Sequence, residues 1–451
     1  MPAPVPTPNT FTGKADTTSI GDISWKEFFT DPMLVRLIDT ALQRNLDLKI
    51  AVQRVEMAQA TLRLSRGAFL PSINAVATAG ADKYGDYTMN GVGNFDTNLS
   101  NNIDDKQRIP NPTPDYFLGL RSSWEIDIWG KLRNQKKAAY NRFLASEKGR
   151  QAVATLLVSQ IARMYYDLLT LDYESEILRR NIRLQEQAVE TITVQKSAGR
   201  ATELAVQQSS AQLLRTRSME AALQQEIVVI ENQLNLLLGR FPQRINRGQS
   251  IGEQAIPAVV SAGIPSHMLR RRPDIRQAEL ELQAAKANVE AARAAFLPSL
   301  TISPYVGFNA FDASLLFNPG SVAYGVLGGL IGPVLGRNVL KSSYRQSNAM
   351  SLEAVYNYQK AILSGYQEVI THMKGLENWQ KVYNFRKQEV DMLQNAVTTS
   401  NELYVNGYAS YLEVVTAQRS VLEAELELAN SKRDQFFSLI ELYRSLGGGW
   451  E

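Results

Sequence analysis

The chain has 451 residues, with 48 Lys and Arg against 45 Asp and Glu, 44% hydrophobic residues and no Cys. Balanced charge without a basic block argues against nucleic acid as a partner. The missing Cys excludes disulfides, thiolate metal sites and Cys nucleophiles, and the two His, His267 and His372, are too far apart in sequence to read as a ligand pair.

Residues 1–33 read as an N-terminal extended leader, starting with alternating prolines from Met1 to Pro8. This N-terminus lacks the charged start and apolar run of a signal peptide. A first repeat spans 34–239. Leu34, Leu37, Ile38, Ala41 and Leu42 are in helical spacing, and a second helix covers Leu46 to Arg66. Phe69-Leu70-Pro71-Ser72-Ile73 then switches the chain to a strand at about 70–83. Tyr84 to Pro114, rich in Gly, Asn, Asp and Pro, reads as an exposed loop. In a second strand at about 115–128, Tyr116, Leu118, Leu120, Trp124, Ile126 and Ile128 oppose Asp115, Arg121, Ser123, Glu125 and Asp127. One face is apolar and the other polar.

After Gly130 the period turns helical, and no proline occurs between Pro114 and Pro242. A long hairpin over 131–239 turns at Gly199; its first helix, to Ser197, would run roughly 100 Å at 1.5 Å per residue. A connector, 240–266, bears Pro and Gly. The second repeat, 267–451, has a helix, strands at about 297–310 and 320–335, and a hairpin over 337–447. Phe296-Leu297-Pro298-Ser299-Leu300 repeats the earlier switch at an offset of 227 residues. The chain is thus a tandem duplication. The second hairpin turns at Asn406-Gly407, where Gly suits the left-handed residue that ends a helix. Ser410 with Glu413 reads as a capping box.

No apolar run of about 18 residues or more predicts a membrane-crossing helix. Val322 to Leu335 comes nearest, and its glycines and Pro333 spoil it. Four strands with an apolar face cannot close alone, and an open edge in lipid is not allowed. Three copies would supply twelve strands around one axis; four would supply sixteen but leave the long helices a wider ring to fill, so three is the expectation. The fold class expected is mixed and mostly α: a trimeric α-barrel of long helical hairpins joined to a 12-stranded membrane β-barrel, four strands per chain. Tyr84, Tyr116, Trp129, Tyr305 and Tyr324 suit membrane interfaces, or ordinary packing. No phosphate loop, metal-ligand cluster or nucleophile motif is present, so neither catalysis nor a cofactor is expected.

The stretch Ser123-Trp124-Glu125-Ile126-Asp127-Ile128-Trp129-Gly130-Lys131-Leu132-Arg133, the two Phe-Leu-Pro-Ser stretches and the ending Leu442 to Trp450 resemble TolC-type outer-membrane efflux factors, in particular the lipoprotein branch that includes OprM. The resemblance implies a homotrimeric channel in outer-membrane lipid, reaching into the periplasm. It would take substrate from an inner-membrane pump of the resistance-nodulation-division type through a periplasmic adaptor (membrane fusion) protein docked on the helical tips. In that branch the mature N-terminus is a lipidated Cys, which this sequence does not carry. The adaptor contacts implied are Gly199, Arg200, Ala201 and Thr202 at one tip and Gly407, Tyr408, Ala409 and Ser410 at the other. The gate implied is Leu412 as an apolar ring and Glu413 as an acidic one, with Thr416 where relatives carry Asp. Glu413 can cap its helix, attract cations to the mouth, or do both. The competing class, a structural coiled-coil envelope protein without transport activity, leaves the duplicated strands unexplained.

Overall fold

The computed structural model describes residues 8, 10–11, 18–256, 261–334 and 336–451, so most of the proline leader lies outside the described residues. These residues form two compact units.

The first unit combines residues 1–56, 144–280 and 355–451. The later part of the predicted leader is not extended: a short helix, α1, covers Trp25–Phe28. Helix α2, Pro32–Arg44, starts where Asp31 accepts the Met33 N–H at 2.8 Å, with proline at its first position. Its apolar stripe, Leu34, Ile38 and Ala41, is completely buried. Helix α3, Leu46–Gly67, follows after Asn45, whose side chain donates to the Leu237 carbonyl and accepts the Leu48 N–H.

Most of the unit is two long helical hairpins. Helix α5, Lys131–Ser197, has 67 residues and returns as α6, Glu203–Leu237, with 35; α9, Asn338–Val405, has 68 and returns as α10, Tyr411–Ser445, with 35. The label α4 belongs to Met89–Leu99, described below. The second repeat opens with a short helix, α7, Pro265–Arg271, and the 22-residue α8, Pro273–Ala294. At the 227-residue offset both ends of α3 fall on both ends of α8, so the duplication extends to helix boundaries.

The core of this unit joins α2, α5, α6, α10 and the connector through Ile161, Tyr165, Leu168, Leu234, Ile245 and Ile251, each at most 0% exposed. Burying such a side chain contributes about 1.5–3 kcal/mol. Tyr443 of α10 stacks on Phe28 at 3.9 Å, and Phe436 stacks on Tyr166 at 4.3 Å. Tyr165 resolves its buried hydroxyl by donating to Asp31 at 2.7 Å while accepting the Gly248 N–H at 2.8 Å. Three distant stretches of chain are thereby tied at one oxygen. Burial, and then the Asp31 carboxylate, push the Tyr165 phenol far above its ordinary range, so it stays a donor.

The second unit combines residues 57–143 and 281–354. Its sheet is a meander in the order β1-β2-β3-β4, with β1 Ser72–Asp82, β2 Thr113–Ile126, β3 Ser299–Ala310 and β4 Val322–Ile331, all pairs antiparallel. Against the expected bounds β1, β3 and β4 are three, two and six residues shorter, while β2 keeps its length and is shifted by two residues toward the N-terminus. Asp127 explains one end: its carboxylate accepts the Leu132 and Arg133 N–H groups at 3.0 and 2.9 Å, capping α5 instead of continuing the polar face. Ile128 likewise lies beyond the strand. Trp124 and Trp129 donate their indole N–H to the Phe69 and Pro298 carbonyls, fixing both Phe-Leu-Pro-Ser switches.

The expected loop from Tyr84 to Pro114 contains α4. Thr88 caps it by accepting the Gly91 N–H, and Asn98 fastens it by exchanging two hydrogen bonds of 2.8 Å with the Ile109 backbone. Gly91 and Gly93 weaken the helical signal of this segment in the sequence.

Candidate functional site: helical tips and sheet faces

Each tip is a helix end that reverses in a few residues. At the first, the Arg200 N–H donates to the Gln195 carbonyl at 2.8 Å and Gly199 N–H to Lys196 at 2.9 Å, with Gly199 at φ 70°. At the second, Tyr408 N–H donates to Leu403 at 2.8 Å and Gly407 N–H to Tyr404 at 3.0 Å, with Gly407 at φ 79°. Both are the paired bonds of a Schellman end, which needs a residue in the left-handed region. Thr202 caps α6 through the Ala205 N–H, and Lys196 pairs with Glu203 across the turn. Tyr404 donates to Gln195 at 2.6 Å and links the two hairpins one turn behind their tips.

The predicted contact residues Gly199, Arg200, Thr202, Gly407, Tyr408 and Ser410 are exposed, while Ala201 and Ala409 are half-buried. Tyr408 is 83% exposed, an unusual state for an aromatic ring without a partner. Leu412 is 55% exposed and its neighbour Val414 is buried, so the helix presents Leu412 outward and holds itself by Val414. Glu413 accepts the Ser410 N–H at 2.6 Å, the return half of a capping box. Thr416 donates to the Leu412 carbonyl at 2.7 Å.

The sheet separates into rows. Ala77, Leu118, Phe308 and Val322 are in register across the four strands, as are Ala75, Leu120, Val306 and Tyr324. Flanking these on either side run Thr78, Phe117 and Asn309, and Asn74, Arg121, Tyr305 and Gly325. The first kind of row is apolar and exposed: Leu120, Val306 and Val322 are each near 50% and Tyr324 is 78% exposed. Such a face has no place in water at this size. The second kind is polar, with Asp115 accepting from Asn309 at 2.6 Å and Glu125 paired with Lys131 at 2.8 Å. Tyr305 belongs to the polar row, away from any membrane interface on the apolar face.

Phe117 escaped the alternation, being an apolar residue on the polar face that is nevertheless 5% exposed. Arg272, completely missed by periodicity, is 3% exposed and forks to Asp274 at 3.0 and 2.6 Å and to Glu368 at 2.8 Å. The available signal was the run Arg270-Arg271-Arg272-Pro273-Asp274 opening a helix.

A four-stranded sheet with an apolar face, carried on a chain with two long helical hairpins, defines the class of outer-membrane channels that combine strand and helix conduits. The model of the outer membrane efflux protein family matches residues 37–240 and 264–448, and the chain belongs to that family. It is 30% identical over 453 residues to the solvent efflux pump outer membrane protein SrpC of Pseudomonas putida, covering 100% of this chain and 93% of the relative. The crystal structure of CusC matches with TM-score 0.84 and 27% identity over 99% of this chain and 98% of that one. A membrane protein from Pseudomonas aeruginosa matches with TM-score 0.88 and 26% identity over 100% and 96%. The chain is therefore an outer-membrane efflux channel.

Proposed function

We propose that three copies of the chain form the outer-membrane conduit of a tripartite efflux system. The observation that supports this best is the open sheet. The outer edges of β1 and β4 have no partner strand among the described residues, and one face is largely apolar. Lipid tolerates strands only when every backbone group is paired, so β4 of one copy pairs with β1 of the next and the ring closes at twelve strands. The polar rows then line the lumen. The long hairpins of three copies enclose a helical conduit, and solute passes through without chemical change.

The absence of Cys makes the test direct, because any introduced thiol is the sole one. Ser303→Cys, on a polar row, should react with a charged, membrane-impermeant thiol reagent, and Val326→Cys, on an apolar row, should not. Detergent-purified protein should have three times the 50.3 kDa chain mass. A monomer, or equal labelling of both positions, sinks the reading.

In this assembly the tips 199–202 and 407–410 receive the periplasmic adaptor, which couples the channel to an inner-membrane pump of the resistance-nodulation-division type. Tyr408 supplies the exposed aromatic contact and the small residues admit close backbone approach. Three copies each of Leu412, Glu413 and Thr416 narrow the helical conduit, with Glu413 attracting cations. The capping role can be held constant, since Gln at the same position accepts the same N–H. Glu413→Gln should therefore lower the cation-over-anion permeability ratio by about half in planar bilayers, without loss of thermal stability. Unchanged reversal potentials would leave Glu413 as a helix cap only.

A further inference from the structure

We propose that Arg121 is an anion-binding, specificity-determining residue on the polar face of the sheet, taking solutes that carry a carboxylate or sulfonate beside a planar ring. The inference rests on the reading that this face lines a lumen.

The first support is electrostatic. Arg121 makes no ion pair among the described residues, although two carboxylates share its strand face. Asp115 is engaged by Asn309 and Glu125 by Lys131. Counting along the strand, Asp115 is about 20 Å away and Glu125 about 13 Å. The residues in register on either side of Arg121 are Asn74 and Tyr305, both neutral. A guanidinium flanked this way keeps its planar fork of donors free for a bidentate acceptor.

The second support is how much of the sheet is given over to holding that fork still. Arg121 lies over the Phe117 ring, 4.6 Å from its centroid. Phe117 in turn packs edge-on to Tyr305 at 6.2 Å and 69°. The ring can lie flat on the strands because Gly119 and Gly307 are paired beneath it. A Cβ on either would come within 2.9 or 3.0 Å of the Phe117 Cζ, and within 2.4 to 2.7 Å of backbone on the facing strand. Tyr305 has the same kind of seat: a Cβ on Gly325 would meet its ring at 2.7 Å. Aromatic rings laid over strand glycines recover packing that the glycines forgo. Here they also give a cation a fixed platform, which suits recognition better than a freely moving Lys would.

The third support is space. The arrangement borders a concavity of about 610 Å³ whose walls include Asp115, Phe117, Arg121, Ser303, Tyr305 and Asn309. Its volume suits a small aromatic solute, with the exposed Tyr305 ring as a stacking face and the Arg121 fork for the anionic group.

The test uses naphthalene-2-sulfonate and the detergent-purified full chain. Isothermal titration calorimetry should show binding that weakens at least tenfold in Arg121→Gln and only a few-fold in Arg121→Lys. Phe117→Leu, which removes the platform but not the charge, should fall between them. A naphthyl trimethylammonium cation should not bind. Bound sulfonate should also slow thiol labelling of Ser303→Cys several-fold, which places it in the concavity. If Ser303→Cys cannot be reached by the aqueous reagent, the lumen reading fails and this inference with it. If Ser303→Cys is reached but wild type does not bind the sulfonate, or Arg121→Gln binds it as wild type does, or the cation binds equally well, the channel reading stands and the role of Arg121 is overturned.

Discussion

Arg272→Ala should destabilise the helical unit by about 3 kcal/mol, seen as a lowered midpoint of thermal unfolding in detergent. The side chain ends in a place almost without water, 4% exposed, between the start of α8, α9 and the last turn of α10. It donates to both oxygens of Asp274, to Glu368 at 2.8 Å and to the Ser445 carbonyl at 3.2 Å. Arg444 shares Glu368 at 3.2 Å and reaches Glu441 at 2.6 Å, which Arg163 of α5 also holds at 2.9 Å. One guanidinium thus closes a chain of alternating charge across four helices. Its loss leaves Glu368 with one guanidinium partner instead of two and the Ser445 carbonyl without this donor. The loss lies at the low end for a broken buried pair because the Asp274 side chain is 46% exposed and can turn to water. Arg272→Lys should be intermediate, since an ammonium cannot span these acceptors in one plane.

The pH dependence supplies a check on the cause. Burial raises the Asp274 carboxyl, but the Arg272 hydrogen bonds and charge overcome it and hold the group below its usual range. A depressed carboxylate stabilises the fold above its unfolded pKa, near 3.9, and the contribution disappears as pH falls through the folded value. The gap between wild type and Arg272→Ala should narrow below about pH 4. A gap constant down to pH 3 would assign the loss to packing alone.

How legible such features are depends on the distance over which they are written. The sheet was readable because alternation over Tyr116 to Ile126 is local, and because a second copy of Phe-Leu-Pro-Ser repeats the switch 227 residues on. The tips were readable for the same reason: Gly407, Ser410 and Glu413 are all within seven residues. Arg272 was not, since Glu368 and Ser445 lie 96 and 173 positions away and nothing in a local window marks them as neighbours. Phe117 misled in the opposite sense. Its position in the alternation is polar, and only the paired glycines on two strands make room for a ring there. In α4, Met89, Val92, Phe95 and Leu99 do have helical spacing, but glycines and asparagines between them favour a loop reading.

Glu174→Gln should have the reverse effect to Arg272→Ala and raise stability by about 3 kcal/mol above pH 7. Glu174 is on α5, 9% exposed, and its carboxyl accepts from the Asn430 side chain of α10 at 2.6 Å. Burial pushes its pKa up to about 7; Asn430 and Arg433 pull it down, and Glu226 and Asp167 raise it further. Arg433 cannot serve it fully, because that guanidinium is drawn to Asp434 at 3.2 Å and Asp167 at 3.4 Å. The folded chain therefore holds a proton that the unfolded chain, with a carboxyl near 4.3, releases. Protons bound in the folded state exceed those in the unfolded state between these values, so stability is greatest below pH 4 and declines as pH rises towards 7. A neutral amide keeps the acceptor for Asn430 and never acquires the charge. The two proteins should unfold at nearly the same temperature at pH 4 and separate progressively to pH 8, with the variant higher. A difference independent of pH, or a variant less stable at pH 8, would show that the fold does not raise the Glu174 carboxyl.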